Sequence, residues 1–323
     1  MKIFLVHVKK NIAKISIIKY NIIMKEFKLT IKDSALAFIS SFILCQLGAI
    51  ILSVLVMTLS TSLGTTNEQY ETFMYSSVGT LLSMLITNSV MIGVYFYFKR
   101  KDNAKILCKP NLKKSIIYII IAIVSFMMLY PIIHCLDNIL YNLGIPTNGI
   151  KYELNTTNYL ISIISFVALP AICEELLFRG LILRGLKSRG KSFAIIISSI
   201  MFSLYHISIY QTIYPLMMGL LFALVMYKEN NIFYTIIMHA VNNFLSLTLM
   251  YCNITFVFNH WTYLLLAIVM LITFTVFIIL KILKNNKNSR MEKLSVENKF
   301  YLITSLAIML SIWIAYNTLL INL

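Results

Sequence analysis

The sequence predicts an all-α fold, a polytopic membrane helix bundle of about 8–9 transmembrane helices. Three observations predict it. The 323 residues are 59% hydrophobic and only 12% charged, with a mean hydropathy of +0.83, far more apolar than a soluble domain. Apolar runs of about 20 residues, the length that crosses a hydrocarbon core, recur along the chain. The basic residues gather in alternate connections between those runs.

The chain opens with residues 1–32, which carry eight lysines among Ile, Leu, Val and Phe. Lysine interrupts the apolar residues throughout, so this is not the short basic region and clean apolar core of a signal peptide. It reads as a basic amphipathic segment lying on anionic lipid. Apolar runs then fall roughly at 35–60, 76–98, 115–136, 158–183, 192–208, 210–227, 232–251, 261–283 and 300–321. Two of them are short enough to form a helical hairpin. The segment 284–299, KNNKNSRMEKLSVENK, is a polar linker that makes the last span an appendage. The chain thus divides into 1–32, N-terminal transmembrane helices over 33–157, a core at 158–251, and C-terminal helices over 252–323.

A net charge of +16 invites a nucleic-acid reading, but the placement of the charge excludes it. Lys99, Arg100, Lys101, Lys105, Lys109, Lys113 and Lys114 fill one connection. Arg184, Lys187, Arg189 and Lys191 fill a second, and Lys281, Lys284, Lys287, Arg290, Lys293 and Lys299 a third. The connections between them hold only Lys151. This is the positive-inside pattern, and it puts the N-terminus in the cytosol. Cys45, Cys108, Cys135, Cys173 and Cys252 show no metal-ligand spacing and read as packing residues. Gly180, Gly185 and Gly219 read as sites of close helix packing.

Of twelve Asp and Glu residues, only Glu174 and Glu175 lie well inside an apolar run, in ALPAICEELLFRGLIL. A charge at the centre of a membrane helix is unfavourable by about 2.5–3.5 kcal/mol, so something must compensate. Glu175 and Arg179, at i and i+4, share a helix face and can pair, whereas Glu174 points about 100° away and is left to face a cavity. Two of the five histidines, His206 in FSLYHIS and His239 in IIMHAVNNF, also lie within apolar helices. His239 and Asn243 share a face, with Asn242 turned away.

A glutamate withdrawn from water by lipid and protein is a competent general base, and a histidine can orient the water or protonate a leaving amine. The second histidine and an asparagine can donate to a developing oxyanion. The same residues allow a competing zinc site at Glu174, His206 and His239, but no HExxH is present and the spacing is not diagnostic, so water activation without a cofactor is favoured.

EELLFR at 174–179, FSLYH at 202–206 and HAVNN at 239–243 match, in order, the patterns EExxxR, FxxxH and HxxxN. In these motifs the chain resembles the CPBP family, the CAAX protease and bacteriocin-processing enzymes also called Abi proteins. The resemblance covers about 160–251 and implies an intramembrane endopeptidase. Residues matching Glu174 and His206 would activate water there, and those matching His239 and Asn243 would stabilise the oxyanion. By the same carry-over Glu175 and Arg179 support the site, and Phe202 packs near it. The family has been described both as metal-dependent and as glutamate-dependent. It assigns no role to the basic N-terminus or to the span after 284–299.

A prenylated protein tail, a bacteriocin or pheromone precursor, and another membrane protein are all admissible substrates. The abundance of Ile, Lys and Asn points to an AT-rich bacterial genome and so to peptide processing or self-immunity. Two other classes compete: a non-catalytic immunity or partner-binding protein, and a transporter using Glu174 and His206 as a proton relay. The chain shows no internal repeat to favour transport. One tension follows from the expected spans. His206 lies about 21 Å from the basic end of its helix, Glu174 about 15 Å and His239 about 10 Å from theirs. For the three to meet, the 192–208 helix must begin beyond the membrane or tilt, and a cavity opening to the basic side is expected.

Overall fold

The computed structural model describes residues 29–144, 156–209, 211–252, 260–283 and 294–321. The basic segment up to residue 28, with His7, and most of the linker at 284–299 lie outside the described residues. Every regular element among those described is helical: α1 (Ile31–Ser62), α2 (Asn67–Tyr75), α3 (Ser77–Lys99), α4 (Leu112–Asn142), α5 (156–189), α6 (Lys191–Tyr205), α7 (Ile213–Glu229), α8 (Ile232–Tyr251), α9 (His260–Leu283) and α10 (Val296–Ile321). Seven of them, α1, α3, α4, α5, α8, α9 and α10, are long and apolar enough to cross a membrane. The remaining expected spans, α6 and α7, have 15 and 17 residues and pack along each other as a hairpin.

Local sequence sets the element ends. Thr30 and Asp33 form a capping box that starts α1, with Asp33 N–H donating to Thr30 Oγ1 at 3.1 Å and Thr30 N–H to Asp33 Oδ2 at 2.9 Å. A second box, Thr66 with Gln69, starts α2 inside a stretch the hydropathy pattern reads only as a loop. Gly190, at φ 94°, ends α5, and Asn230, in the left-handed region, ends α7.

α5 is the central helix, packed by α1, α3, α6 and α8. It is not uniform. Two π-type segments, Ile163–Ala168 and Phe178–Ile182, flank the α-helical turns Leu169–Leu177. It also runs six residues beyond the apolar stretch, to Arg189, because Arg184 is held inside the bundle by Asp102, Nη2 to Oδ2 2.7 Å.

That extension removes the tension between helix depths. Glu174 stands fifteen residues before Arg189 and His206 fifteen residues after Lys191, so both lie about 22 Å above the α5–α6 turn. α8 instead begins inside the bundle: a Cβ on Gly180 would stand 3.3 Å from Ile232 Cδ1. The connection 100–111 closes its base. Ile232 N–H donates to the Ile106 carbonyl at 2.9 Å, Asn231 Nδ2 to the Cys108 carbonyl at 3.1 Å, and Asn111 N–H to Tyr234 Oη at 2.9 Å. A strap that reads in sequence as a basic loop therefore supplies the backbone partners that a buried helix start requires.

Candidate active site

Pro170 shapes the Glu-bearing turns. It has no N–H for the carbonyl four residues back, that of Phe166, and the helix widens there. Asn243 of α8 donates Nδ2 to the Phe166 carbonyl at 2.9 Å. Its Oδ1 accepts from Asn242 Nδ2 at 3.2 Å, and Asn242 Oδ1 accepts from the Tyr214 hydroxyl. Asn242 is thus not turned away as its helical position predicts; it is buried and orients its neighbour's amide. Nothing in the sequence singles out Tyr214, which reaches this chain from α7.

Glu175 is completely buried, and its Oε1 takes Arg179 Nη1 at 2.8 Å and faces His239 Nδ1 at 3.0 Å. Arg179 is equally buried. Its Nη2 donates to the Gly219 carbonyl at 3.2 Å, and its guanidinium lies 4.2 Å from the centre of the Phe202 ring and 5.3 Å from that of Phe222. A delocalised cation between aromatic faces, paired with a carboxylate one turn away, is how a charge persists in this apolar core.

Glu174, on the adjacent face, is different. Its side chain keeps 16% exposure and takes no part in the Arg179 pair, while its buried Oε2, like that of Glu175, has no hydrogen-bond partner among the described residues. His239 Nε2 stands 3.9 Å from it. That is too far for a hydrogen bond and right for one bridging oxygen. With Nδ1 committed to Glu175, His239 meets the site through Nε2.

His206 caps α6. Its Nδ1 lies 2.9 Å from the Phe202 carbonyl, which can only accept, so Nδ1 carries the proton and Nε2 of the neutral ring is the free acceptor. Phe202 stands edge-on to both imidazoles, its ring centre 5.0 Å from that of His206 and 5.9 Å from that of His239. Glu174, Glu175, Arg179, Phe202 and His239 thus form one contact cluster, joined by His206 through the Phe202 ring, while Asn243, one turn after His239 on α8, bonds the Phe166 carbonyl of α5. Immediately after His206, Ile207 adopts φ 62°. For a β-branched residue this left-handed conformation is unfavourable by about 1–3 kcal/mol.

Below Glu174 along α5, each residue from Leu177 to Leu186 is buried. A hollow of about 420 Å³, lined by Ser53, Tyr70, Glu71, Met74, Thr80 and Met84 among others, touches none of the candidate site residues. Among the described residues no three His, Cys, Asp or Glu side chains are grouped as they would be to hold a metal ion. His206 Nδ1 and His239 Nδ1 face protein acceptors.

Residues 156–245 match the family model described as Type II CAAX prenyl endopeptidase Rce1-like. That model matches the CPBP/CAAX protease family. The matched stretch runs from the first residue of α5 into α8 and takes in all three motifs. The family is one of proteases, and the seven helices of spanning length among the described residues, together with that family, point to an integral membrane protein. Comparison with curated proteins and with solved structures yields no match.

Proposed function

We propose that the protein is an intramembrane endopeptidase that hydrolyses a peptide bond of a membrane-associated peptide or protein by glutamate-activated water. The observation that carries this reading is Glu174: a partly exposed carboxylate inside an apolar bundle, 3.9 Å from His239 Nε2 and outside the Arg179 pair that holds its neighbour Glu175. Glu174 takes a proton from water held between it and a histidine, and the hydroxide adds to the scissile carbonyl. His206, with Nε2 free to accept, orients that water. Asn243, through its second amide hydrogen, donates to the oxyanion, and His239, whose Nδ1–H is held by Glu175, donates through Nε2 in its doubly protonated form. The proton on Glu174 then passes to the leaving nitrogen, so the products are a carboxylic acid and an amine. Glu175, Arg179 and Phe202 hold the imidazoles and the α5 turns in place.

The family's name points to prenylated tails, whereas the Ile, Lys and Asn bias of this chain favours a bacterial membrane and an unprenylated peptide, of the kind processed or neutralised in bacteriocin systems. The alternating basic connections support a cytosolic N-terminus, with residues 1–32 on anionic lipid. We propose no nucleic-acid partner.

The test is cleavage of a membrane-tethered peptide library by the purified chain, by Glu174→Gln and by His206→Ala, each with and without chelator. Cleavage that persists in chelator and disappears in both variants supports the reading. Loss in chelator with recovery on zinc addition refutes the cofactor-free mechanism. Equal cleavage by the wild type and Glu174→Gln refutes the role of Glu174.

A further inference from the structure

The last helix lies outside the three-motif pattern, beyond residue 245 and after the linker, and in sequence it is an appendage. In the bundle it packs along α1 and also meets α6. Near its end Asn317, buried, applies both ends of its amide to the chain just past His206. Nδ2 donates to the Ile207 carbonyl at 2.8 Å, and Oδ1 accepts from the Ile209 N–H at 2.7 Å. Nδ2 also donates to the Trp313 carbonyl at 2.7 Å, which sets the amide from its own helix. One turn earlier Trp313 Nε1 donates to Thr212 Oγ1 at 2.9 Å, and that hydroxyl donates to the Ser208 carbonyl at 2.8 Å.

Between these bonds sits Ile207 at φ 62°, a conformation suited to glycine or asparagine and not to a β-branched residue. His206 is the last residue of its helix turn, so no following turn holds its backbone. The unfavourable Ile207 conformation persists only if something outside the loop over-determines it, and the Asn317 amide is placed to do so.

We propose that Asn317, backed by Trp313, is a positioning residue for His206: the C-terminal helix clamps the left-handed turn at Ile207 and thereby aims the imidazole at the Glu174 cluster. This rests on the reading of His206 as a working residue of the hydrolysis above. The last helix is then a part of the active-site scaffold.

The test uses the full chain in detergent, comparing wild type, Asn317→Ala, Ile207→Gly and the double variant by amide hydrogen exchange and by cleavage kinetics. Asn317→Ala is expected to speed exchange at the Ile209 amide and to lower kcat about tenfold with KM little changed, the size of effect that releasing the strained turn allows. Glycine takes φ 62° without steric penalty, so adding Ile207→Gly is expected to restore kcat to within about threefold. Unchanged exchange and kcat in Asn317→Ala overturn the proposal. A loss of kcat that Ile207→Gly does not reverse, with a lowered melting temperature, overturns it in favour of a merely structural helix. A wild type that cleaves nothing sinks the endopeptidase reading and the positioning role with it, and the exchange data then report only whether the clamp exists.

Discussion

Glu175→Gln removes the anion that keeps Arg179 in the centre of the bundle. The two groups are 2.8 Å apart, and at an effective dielectric constant of about 20 their attraction is about 6 kcal/mol. Glutamine still offers an oxygen to Nη1, and Arg179 keeps the Gly219 carbonyl and the Phe202 face, the latter worth about 2 kcal/mol when desolvated. The net loss is then about 3–5 kcal/mol, as for stripping one partner from a buried pair. Arg179→Met strands the Glu175 carboxylate instead and brings a loss of the same order. The double variant strands neither charge and loses less than the worse single. In thermal unfolding in one detergent, at about 2 °C per kcal/mol, each single falls by roughly 6–10 °C and the double by less. Additive falls, or singles within about 1 °C of wild type, would show that the buried charges do not hold one another.

Other outcomes follow from particular contacts. Gly185→Ala places a Cβ 2.1 Å from Ser34 Oγ and 2.6 Å from the Thr30 carbonyl, and destabilises the α1–α5 contact by about 1–3 kcal/mol. Gly180→Ala, whose Cβ meets only side-chain ends at 3.0 Å or more, melts above it. Asp102→Ala leaves the Arg184 guanidinium buried without its carboxylate and loosens the strap beneath α8, seen as faster protease nicking between residues 99 and 111. Cys108 and Cys252 are both exposed, one on a basic connection and the other on the opposite side. An impermeant maleimide on intact cells therefore labels Cys252 and spares Cys108 until the membrane is opened; the reverse order would invert the proposed orientation.

Much of the site is legible in the sequence because membranes make polar residues conspicuous. Glu174, Glu175, Arg179, His206 and His239 stand out against apolar runs, and i, i+4 spacing alone pairs Glu175 with Arg179. Tyr214, by contrast, gives no such signal, because a tyrosine in an apolar helix is ordinary. Asn242 is misread because a helical wheel places it relative to its own helix and says nothing of the residue that arrives from α7. The end of α5 is misread for a related reason: Arg184 looks like loop when hydropathy decides, yet Asp102 lets it remain buried.

The sequence by itself determined the helical class, the approximate spans, the alternating basic faces and the residues that carry charge into the membrane, since length, period and composition suffice for these. Only the tertiary structure decided that α8 starts inside the bundle, that Phe202 spaces the two imidazoles, and that the last helix holds the turn after His206. Each of these depends on partners far apart along the chain. Ile209 and Asn317 are separated by 108 residues, a pairing that no local pattern encodes and that packing alone brings about.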